Sequence, residues 1–222
     1  MNLQTIDVDP GTQARSTLII LHGLGADGTD FLSFADELKL GPVGPVRWVF
    51  PRAPMRPVTS NGGNVMRAWY DIMGADLLRR EDEAGLRESM AQVHALIDRE
   101  VARGVPAQRI VLGGFSQGCA ITLGAGLRYG QRLGGLAALS GYVPLAASLV
   151  AERNPANHTT PVFQAHGRSD GVIPLARGTA ARDQLLGLGQ PVEWHDYPMA
   201  HSVCVEEVQA LQLWLLRVLA QD

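Results

Sequence analysis

The sequence predicts an α/β fold in which a mostly parallel sheet carries helices on both faces, and three observations support this prediction. Short apolar runs alternate with helix-length amphipathic runs along the chain. Strands that are separated by helices need crossover connections, which make neighbouring strands parallel. The length of 222 residues suits one domain with a sizeable core, and no low-complexity linker or internal repeat divides it. We therefore expect a single domain over residues 1–222.

The elements follow from these runs in chain order. Seven short apolar runs are predicted strands: Leu3–Val8, Thr17–Leu21, Val46–Phe50, Arg109–Gly113, Leu136–Leu139, Val162–Ala165 and Val192–Tyr197. Five longer amphipathic runs are predicted helices: Asp30–Leu40, Asp82–Arg103, Gln117–Arg128, Ala176–Leu188 and Val203–Leu219. Gly104 and Pro106 end the second of these helices. The longest irregular stretch begins at Pro51, and we expect a functional loop or cap over residues 51–78.

Composition and charge exclude several classes of function. The net charge is −3 and no basic run occurs, so a nucleic-acid partner is not expected. No apolar segment is long enough to cross a bilayer, and an integral membrane protein is not expected. The N-terminus lacks the basic and apolar regions of a signal peptide. Cys119 and Cys204 alone do not make a disulfide framework, so we expect a cytoplasmic protein with reduced thiols.

The segment Gly114-Phe115-Ser116-Gln117-Gly118 lies between a predicted strand and a predicted helix. A serine with a glycine two positions away on each side of such a turn is typical of a nucleophile elbow. The turn is so sharp that a Cβ at either glycine would collide with the neighbouring strand or helix. The five-residue pattern also fits an ordinary glycine-rich turn, so its interpretation depends on partners elsewhere in the chain.

A serine nucleophile needs a base and a group that orients the base. His201 follows the last predicted strand, and Asp170 follows the strand that ends at Ala165. Loops at strand ends are where catalytic groups gather in parallel sheets, and the order Ser, Asp, His fits. Both residues also have ordinary interpretations, His201 as a solvated loop histidine and Asp170 as a turn aspartate before Gly171.

Backbone N–H groups that stabilise an oxyanion are expected from two places. Gln117 opens the helix after Ser116, so its N–H points toward an oxygen that forms beside the serine. The loop after the second strand, residues 21–28, offers the N–H of Leu24. His22 in the same loop is interpreted as an architectural residue.

The glycines of that loop, Gly23, Gly25 and Gly28, also match the dinucleotide-binding fingerprint. A dinucleotide site would need an acidic residue at the end of the next strand, where the sequence has Pro51 and Arg52. In addition, Asp27 would repel the pyrophosphate. This alternative is therefore much weaker than the nucleophile elbow.

With these motifs, the chain resembles the phospholipase/carboxylesterase family of α/β-hydrolases, which includes bacterial carboxylesterases and acyl-protein thioesterases. The matching segments run in family order over nearly the whole chain: Leu21–Gly25, Pro51–Pro54, Trp69–Asp71, Gly114–Gly118, His166–Pro174 and Tyr197–His201. The resemblance implies an α/β-hydrolase fold with a Ser116–Asp170–His201 triad, an oxyanion hole from the Leu24 and Gln117 amides, and no cofactor or metal. Cys119 and Ala200 stand where family members often have glycine, and both are small enough to keep activity.

The implied reaction is hydrolysis of a carboxylic ester or thioester through an acyl-enzyme. The substrate is expected to be a small acyl ester or thioester, an acylated protein or a lysolipid. Seven apolar residues of the 51–78 segment either line an acyl groove or pack against the sheet: Val58, Val65, Met66, Ile72, Met73, Leu77 and Leu78. A noncatalytic hydrolase-fold protein that binds acyl ligands or partners is the alternative. Trp69, Tyr70 and Asp71 are interpreted as structural support under the site.

Overall fold

A seven-stranded sheet forms the centre of the molecule. The structure is a computed structural model that describes residues 3–74 and 81–220. Its strands are β1 (Gln4–Val8), β2 (Ser16–Leu21), β3 (Val46–Arg52), β4 (Met55–Val58), β5 (Asn64–Arg67), β6 (Ile110–Phe115), β7 (Gly135–Leu139), β8 (Val162–Gly167) and β9 (Val192–Tyr197). The sheet order is β1-β3-β2-β6-β7-β8-β9. Within it β1 pairs antiparallel with β3 and every other neighbouring pair is parallel, which confirms the prediction.

Helices cover both faces of this sheet, as predicted. They are α1 (Phe34–Glu37), α2 (Glu83–Ala102), α3 (Gln117–Gly126), α4 (Ala146–Glu152), α5 (Leu175–Gly187) and α6 (Val205–Leu219). Leu86, Ile121 and Leu185 bring α2, α3 and α5 into one buried apolar cluster. Phe34 and Trp214 bring α1 and α6 into a second cluster. No helix in the described ranges is long and apolar enough to cross a membrane.

Several strands extend further toward the site than predicted. Strand β6 continues through Gly114 to Phe115, and β8 continues to Gly167. Both strands lie inside the sheet and pair with a neighbour on each side. The hydrogen bonds to these neighbours keep the terminal glycines in the strands, although the low strand propensity of glycine predicts that the strands end earlier. As a result, β6 leads directly into Ser116.

The predicted helix Asp30–Leu40 is wrong. A 3₁₀ turn over Gly28–Phe31 is followed by the single turn of α1, and Leu38 is already extended. Asp27 and Asp30 form a reciprocal capping box that closes the 3₁₀ turn. The apolar residues in this stretch, including Phe34 and Leu38, are spaced as they are because they pack against the sheet, and their spacing does not indicate a continuous helix. Helix α4 was not predicted at all.

The segment after Pro51 is less irregular than expected. Strands β4 and β5 form an antiparallel hairpin in which Met55 pairs with Arg67 and Pro57 with Val65. A proline is tolerated in such a two-stranded ribbon because its missing N–H faces away from the partner strand. Gly62 and Gly63 adopt positive φ angles of 67° and 78° and turn the chain between the two strands. The predicted cap ends at Leu78, and its residues 75–78 lie outside the described residues.

Candidate active site

Ser116 occupies the sharp turn between β6 and α3. Its φ of 57° and ψ of −117° lie in a region that residues other than glycine rarely adopt. The Ser116 N–H donates to the carbonyl oxygen of Leu139 at 3.0 Å, and the Ser116 carbonyl oxygen accepts from the N–H of Ala120 at 3.2 Å. The turn is thus fixed on one side by β7 and on the other by the first turn of α3.

The flanking glycines are required by close packing, as the sequence predicted. A Cβ on Gly114 would lie 2.3 Å from the carbonyl oxygen of Gly118, and a Cβ on Gly118 would lie 2.2 Å from that of Leu21. Real Cβ atoms do not approach backbone oxygens so closely. The absence of both side chains therefore allows α3 to start directly against β2.

The structure brings Ser116, Asp170 and His201 together. His201 follows β9 and Asp170 follows β8, so the ends of β6, β8 and β9 supply the three residues. The distance from His201 Nε2 to Ser116 Oγ is 2.9 Å, and from His201 Nδ1 to Asp170 Oδ2 it is 2.7 Å. Because a carboxylate only accepts, Nδ1 carries the hydrogen and Nε2 is left to accept the serine hydroxyl hydrogen.

The other oxygen of Asp170 fixes the carboxylate in place. Asp170 Oδ1 accepts from the N–H groups of Val172 and Ile173, each at 2.8 Å. The side chain is completely buried. Asp170 therefore stabilises the turn with Oδ1 and contacts His201 with Oδ2, so both interpretations apply to it.

Of the other histidines and aspartates that follow Ser116, His166 also lies near the Asp170 carboxylate, with 3.5 Å between His166 Nε2 and Asp170 Oδ2, and the rest have different partners. His166 Nε2 donates to the carbonyl oxygen of Ile173 at 2.8 Å, and His195 Nε2 lies 3.0 Å from Glu193 Oε1. The N–H of His158 donates to the carbonyl oxygen of Pro155. Asp183 pairs with Arg182, and Asp196 pairs with Arg168.

The side chain of Gln117 has a structural role that was not predicted from the sequence. Gln117 is the first residue of α3, so its N–H lies among the unsatisfied amides of the helix start. Its side chain accepts from the N–H of Trp69 at 2.9 Å and donates to the carbonyl oxygen of Tyr70 at 2.8 Å. Gln117 therefore ties the start of α3 to the chain that follows β5. An isolated glutamine gives no signal of such a distant contact.

Backbone contacts also hold the loop that carries Leu24. His22 Nε2 accepts from the N–H of Ala53 at 3.0 Å, and His22 Nδ1 donates to the carbonyl oxygen of Gly23 at 2.7 Å. Trp69 Nε1 donates to the His22 carbonyl oxygen at 2.8 Å. Burial lowers the pKa of His22, in keeping with this neutral pattern of one donor and one acceptor. These contacts agree with the architectural interpretation of His22.

Trp69 and Tyr70 lie under the site, as interpreted. Both are buried, and the Tyr70 hydroxyl lies 2.8 Å from that of Tyr142. Asp71 accepts from the N–H and the hydroxyl of Thr59 at 2.7 and 2.6 Å. Tyr70 also lines a cleft, so its position is not purely structural.

Two clefts meet at Ser116. The first cleft has a volume of about 630 Å³, and its walls include Leu24, Tyr70, Ile72, Met73 and Gln117. The second cleft has a volume of about 430 Å³, and its walls include Leu24, Asp30, Phe31, Phe115 and His201. Ser116 lines both.

The described apolar residues of the predicted cap lie in four different environments. Ile72 and Met73 line the first cleft. Val58 is buried, whereas Val65 on β5 is 61 % exposed. Met66 is half-buried beside the hairpin turn, and its sulfur accepts from the Asn61 side-chain amide at 3.4 Å. Leu77 and Leu78 lie outside the described residues.

A buried carboxyl group behind the site was missed by sequence reasoning. Glu207 on α6 is completely buried, and the Cys204 backbone N–H only partly offsets the cost of burying its charge. Burial raises the pKa of Glu207 to about 8. Cys119 and Cys204 are free thiols, and burial raises the pKa of both. Within the described ranges, no three His, Cys, Asp or Glu side chains are grouped to hold a metal ion.

Comparison with known proteins places the chain in a family. The sequence model of the phospholipase/carboxylesterase family matches residues 4–218. Acyl-protein thioesterase 1 of Yarrowia lipolytica is 40% identical over 205 residues, which cover 90% of each chain. Carboxylesterase SOBER1 of Arabidopsis thaliana is 35% identical, covering 92% of this chain and 91% of the relative.

Solved structures agree with the sequence comparison. The crystal structure of Arabidopsis thaliana SOBER1 has a TM-score of 0.88 and 34% identity, covering 93% of this chain and all of that one. Zea mays acyl-protein thioesterase 2 has a TM-score of 0.84 and 28% identity, covering 97% and 99%. Together with the mostly parallel sheet, these matches show that the chain belongs to the phospholipase/carboxylesterase family and has the α/β-hydrolase fold.

Proposed function

We propose that this chain is a serine hydrolase of carboxylic esters and thioesters, with Ser116 as nucleophile, His201 as general base and Asp170 as the group that orients His201. The observation that carries the proposal is the continuous hydrogen-bond chain from Asp170 through His201 to Ser116, at the junction of two clefts. The relatives named carboxylesterase and acyl-protein thioesterase support a carboxylic ester hydrolase.

The first half of the reaction forms an acyl-enzyme. Ser116 Oγ attacks the acyl carbon while its proton moves to His201 Nε2, and Asp170 stabilises the imidazolium that results. The carbonyl oxygen becomes an oxyanion, which the N–H groups of Leu24 and Gln117 stabilise. As the intermediate collapses, the proton on Nε2 passes to the departing alcohol or thiol.

Water completes the cycle. His201 takes a proton from a water molecule, whose oxygen attacks the acyl carbon bound to Ser116. Collapse of the second intermediate breaks the bond to Ser116 Oγ, and the serine recovers its proton from His201. No step in this sequence needs a metal or an organic cofactor, because the backbone amides and the imidazole supply the charge stabilisation and the proton transfer.

The first cleft is the proposed site for the acyl chain. It lies beside the Gln117 amide, and Ile72 and Met73 give it an apolar wall. Its volume of about 630 Å³ falls within the range of small-molecule sites. Because fungal relatives carry the name acyl-protein thioesterase, we propose fatty acyl thioesters, including acylated proteins, as substrates beside simple esters.

Covalent labelling tests the proposal and its noncatalytic alternative. A fluorophosphonate should add one phosphonyl group to the intact protein, on Ser116, as measured by mass spectrometry with peptide mapping. Ser116→Ala should remain unlabelled. Ser60→Ala is the matched control, because Ser60 lines the same cleft without the His201 contact, and this variant should label like the wild type. A wild type that takes no label and does not hydrolyse p-nitrophenyl butyrate would support the noncatalytic alternative.

A further inference from the structure

We infer that the second cleft receives the leaving group and favours an alcohol or thiol that carries an ammonium group, with Asp30 as the residue that selects it. This inference deepens the proposed function and depends on it. It assigns a substrate class to the side of the site opposite the acyl chain. Three features of the second cleft support it: its position beside His201, the charge of its wall, and its aromatic rings.

The position of His201 decides which cleft holds the leaving group. The proton on His201 Nε2 must reach the departing oxygen or sulfur, so that atom lies within hydrogen-bond distance of the imidazole. His201 lines the second cleft, whereas the described walls of the first cleft contain Gln117 and no histidine. The departing alcohol or thiol therefore extends into the second cleft while the acyl chain extends into the first.

The lining of the second cleft contains one carboxylate that has no direct ion pair within the part of the chain that the structure describes. This carboxylate belongs to the exposed Asp30, and the described lining contains neither arginine nor lysine. One Asp30 oxygen accepts from the N–H of Asp27 at 3.3 Å. Among the described residues, no arginine or lysine forms an ion pair with Asp30.

The neighbouring Asp27, unlike Asp30, forms direct ion pairs with arginines. Asp27 lies 2.9 Å from Arg52 Nε and 2.8 Å from Arg67 Nε, so two guanidinium groups contact this one carboxylate, and neither arginine lines the second cleft. These arginines are thereby engaged by Asp27, and the carboxylate of Asp30 remains available to a charge on the substrate. An anionic leaving group would be repelled from this wall.

Aromatic rings complete an environment that suits a cation. Phe31 and Phe115 both line the second cleft, with ring centroids 6.1 Å apart. Phe115 also packs against His201, at a centroid distance of 4.7 Å, so the rings adjoin the point where the leaving group departs. Aromatic faces attract ammonium groups, and a nearby carboxylate adds to this attraction. The combination favours a quaternary or primary ammonium a few atoms from the scissile bond.

A pair of thioesters that differ only in charge tests the inference. Butyrylthiocholine and S-(3,3-dimethylbutyl) thiobutyrate share the acyl group and the shape of the leaving group, with N⁺ replaced by carbon. Each kcat/KM is divided by the rate constant for alkaline hydrolysis of the same compound, which removes the difference in intrinsic reactivity. For the wild type, the corrected ratio should favour the ammonium thioester by about threefold to tenfold. Higher ionic strength should reduce the ratio.

Two variants assign this preference to Asp30. Asp30→Asn removes the charge and keeps an oxygen that can accept from the Asp27 N–H, and its ratio should fall to about one. Asp36→Asn makes the same charge change on the exposed side of α1, outside the second cleft, and should keep the wild-type ratio.

The outcomes separate this inference from the proposed function. Equal corrected values in the wild type, or a ratio that Asp30→Asn leaves unchanged, would overturn the inference, and turnover of both thioesters would leave the proposed function intact. Labelling of Ser116 without turnover of the ammonium thioester would also overturn the inference alone. If neither thioester is hydrolysed and no fluorophosphonate adduct forms, the proposed function fails, and the inference fails with it.

Discussion

Ser116 has an unfavourable backbone conformation that specific hydrogen-bond partners hold in place. A residue other than glycine at φ 57° costs about 1–3 kcal/mol, and it persists only where the surroundings fix it. Here the Leu139 carbonyl fixes the N–H and α3 fixes the carbonyl group. As a result, Ser116 Oγ lies 2.9 Å from His201 Nε2 instead of pointing into the sheet.

The catalytic roles that we propose for Ser116 and His201 predict strongly non-additive mutants. Ser116→Ala and His201→Ala should each lower kcat by about 10⁴-fold to 10⁶-fold, because both residues act in the same proton-transfer step. The double variant should lose little more than either single one. Circular dichroism should show that all three remain folded. Multiplicative losses in the double variant, measured with p-nitrophenyl butyrate, would contradict a shared step.

At the scale of elements, the contact between α3 and β2 determines where the elbow lies. Gly118→Ala would place a methyl group 2.2 Å from the Leu21 carbonyl oxygen, so α3 has to move. We expect the free energy of unfolding to fall by about 3 kcal/mol or more, together with most of the activity. Gly130→Ala is the control, since a Cβ there meets nothing within 4 Å, and it should change stability by less than about 0.5 kcal/mol.

Chemical denaturation of the two glycine variants measures this difference directly. Equal midpoints for Gly118→Ala and Gly130→Ala would mean that α3 can shift without cost. That result would remove the packing argument for the elbow.

The chain after β5 forms the outer wall of the first cleft, and this leads to a prediction about acyl length. If acyl chains lie there, kcat/KM for p-nitrophenyl esters should rise with chain length, because each buried methylene contributes about 0.8 kcal/mol, and then level off. Met73→Trp should shift that plateau to shorter chains while leaving acetate turnover nearly unchanged. Val65→Trp, on the exposed face of β5 outside the cleft, should keep the wild-type profile. Identical profiles in all three proteins would exclude Met73 from the acyl site.

The elements also show why some features were predictable and others were not. Interior strands such as β6 and β8 are short, apolar and buried, so their sequence alone identifies them. The β4–β5 hairpin contains Pro57 and two glycines, which read as a loop although they build a turn and an outer strand. Local patterns indicate burial and turns, whereas pairing between two short strands of mixed polar and apolar residues depends on their contacts with the rest of the chain.

The candidate site shows the same division. Ser116, Asp170 and His201 follow strand ends, and parallel topology places strand ends together, so their proximity could be predicted. The clamp from the Gln117 side chain to Trp69 could not, because it joins residues 48 positions apart and has no local signature.

At the scale of the whole molecule, a buried acid links stability to pH. The pKa of Glu207 is about 8 in the folded protein, above its usual value of 4.5, so the folded state binds more protons than the unfolded state between these values. The contribution of Glu207 to stability is therefore complete below about pH 4.5 and is lost as pH rises toward 8. Over three pH units this corresponds to a free energy on the order of 4 kcal/mol.

Glu207→Gln should remove this dependence. The free energy of unfolding of the variant, relative to the wild type, should rise steadily between pH 5 and pH 8, as measured by urea denaturation at several pH values. Glu206→Gln, one residue away and exposed, should follow the wild-type curve. Parallel curves for wild type and Glu207→Gln would show that Glu207 does not titrate in this range.

The distances along the chain between the site residues have a consequence for folding experiments. His201 is 85 residues from Ser116 and 31 from Asp170, and only the correct order of β6, β8 and β9 makes them neighbours. The reaction of the Ser116 hydroxyl with a fluorophosphonate should therefore begin only when β6, β8 and β9 have assembled in the sheet. Pulses of fluorophosphonate during refolding would time the docking of the C-terminal strands, separately from the earlier growth of secondary structure that circular dichroism records.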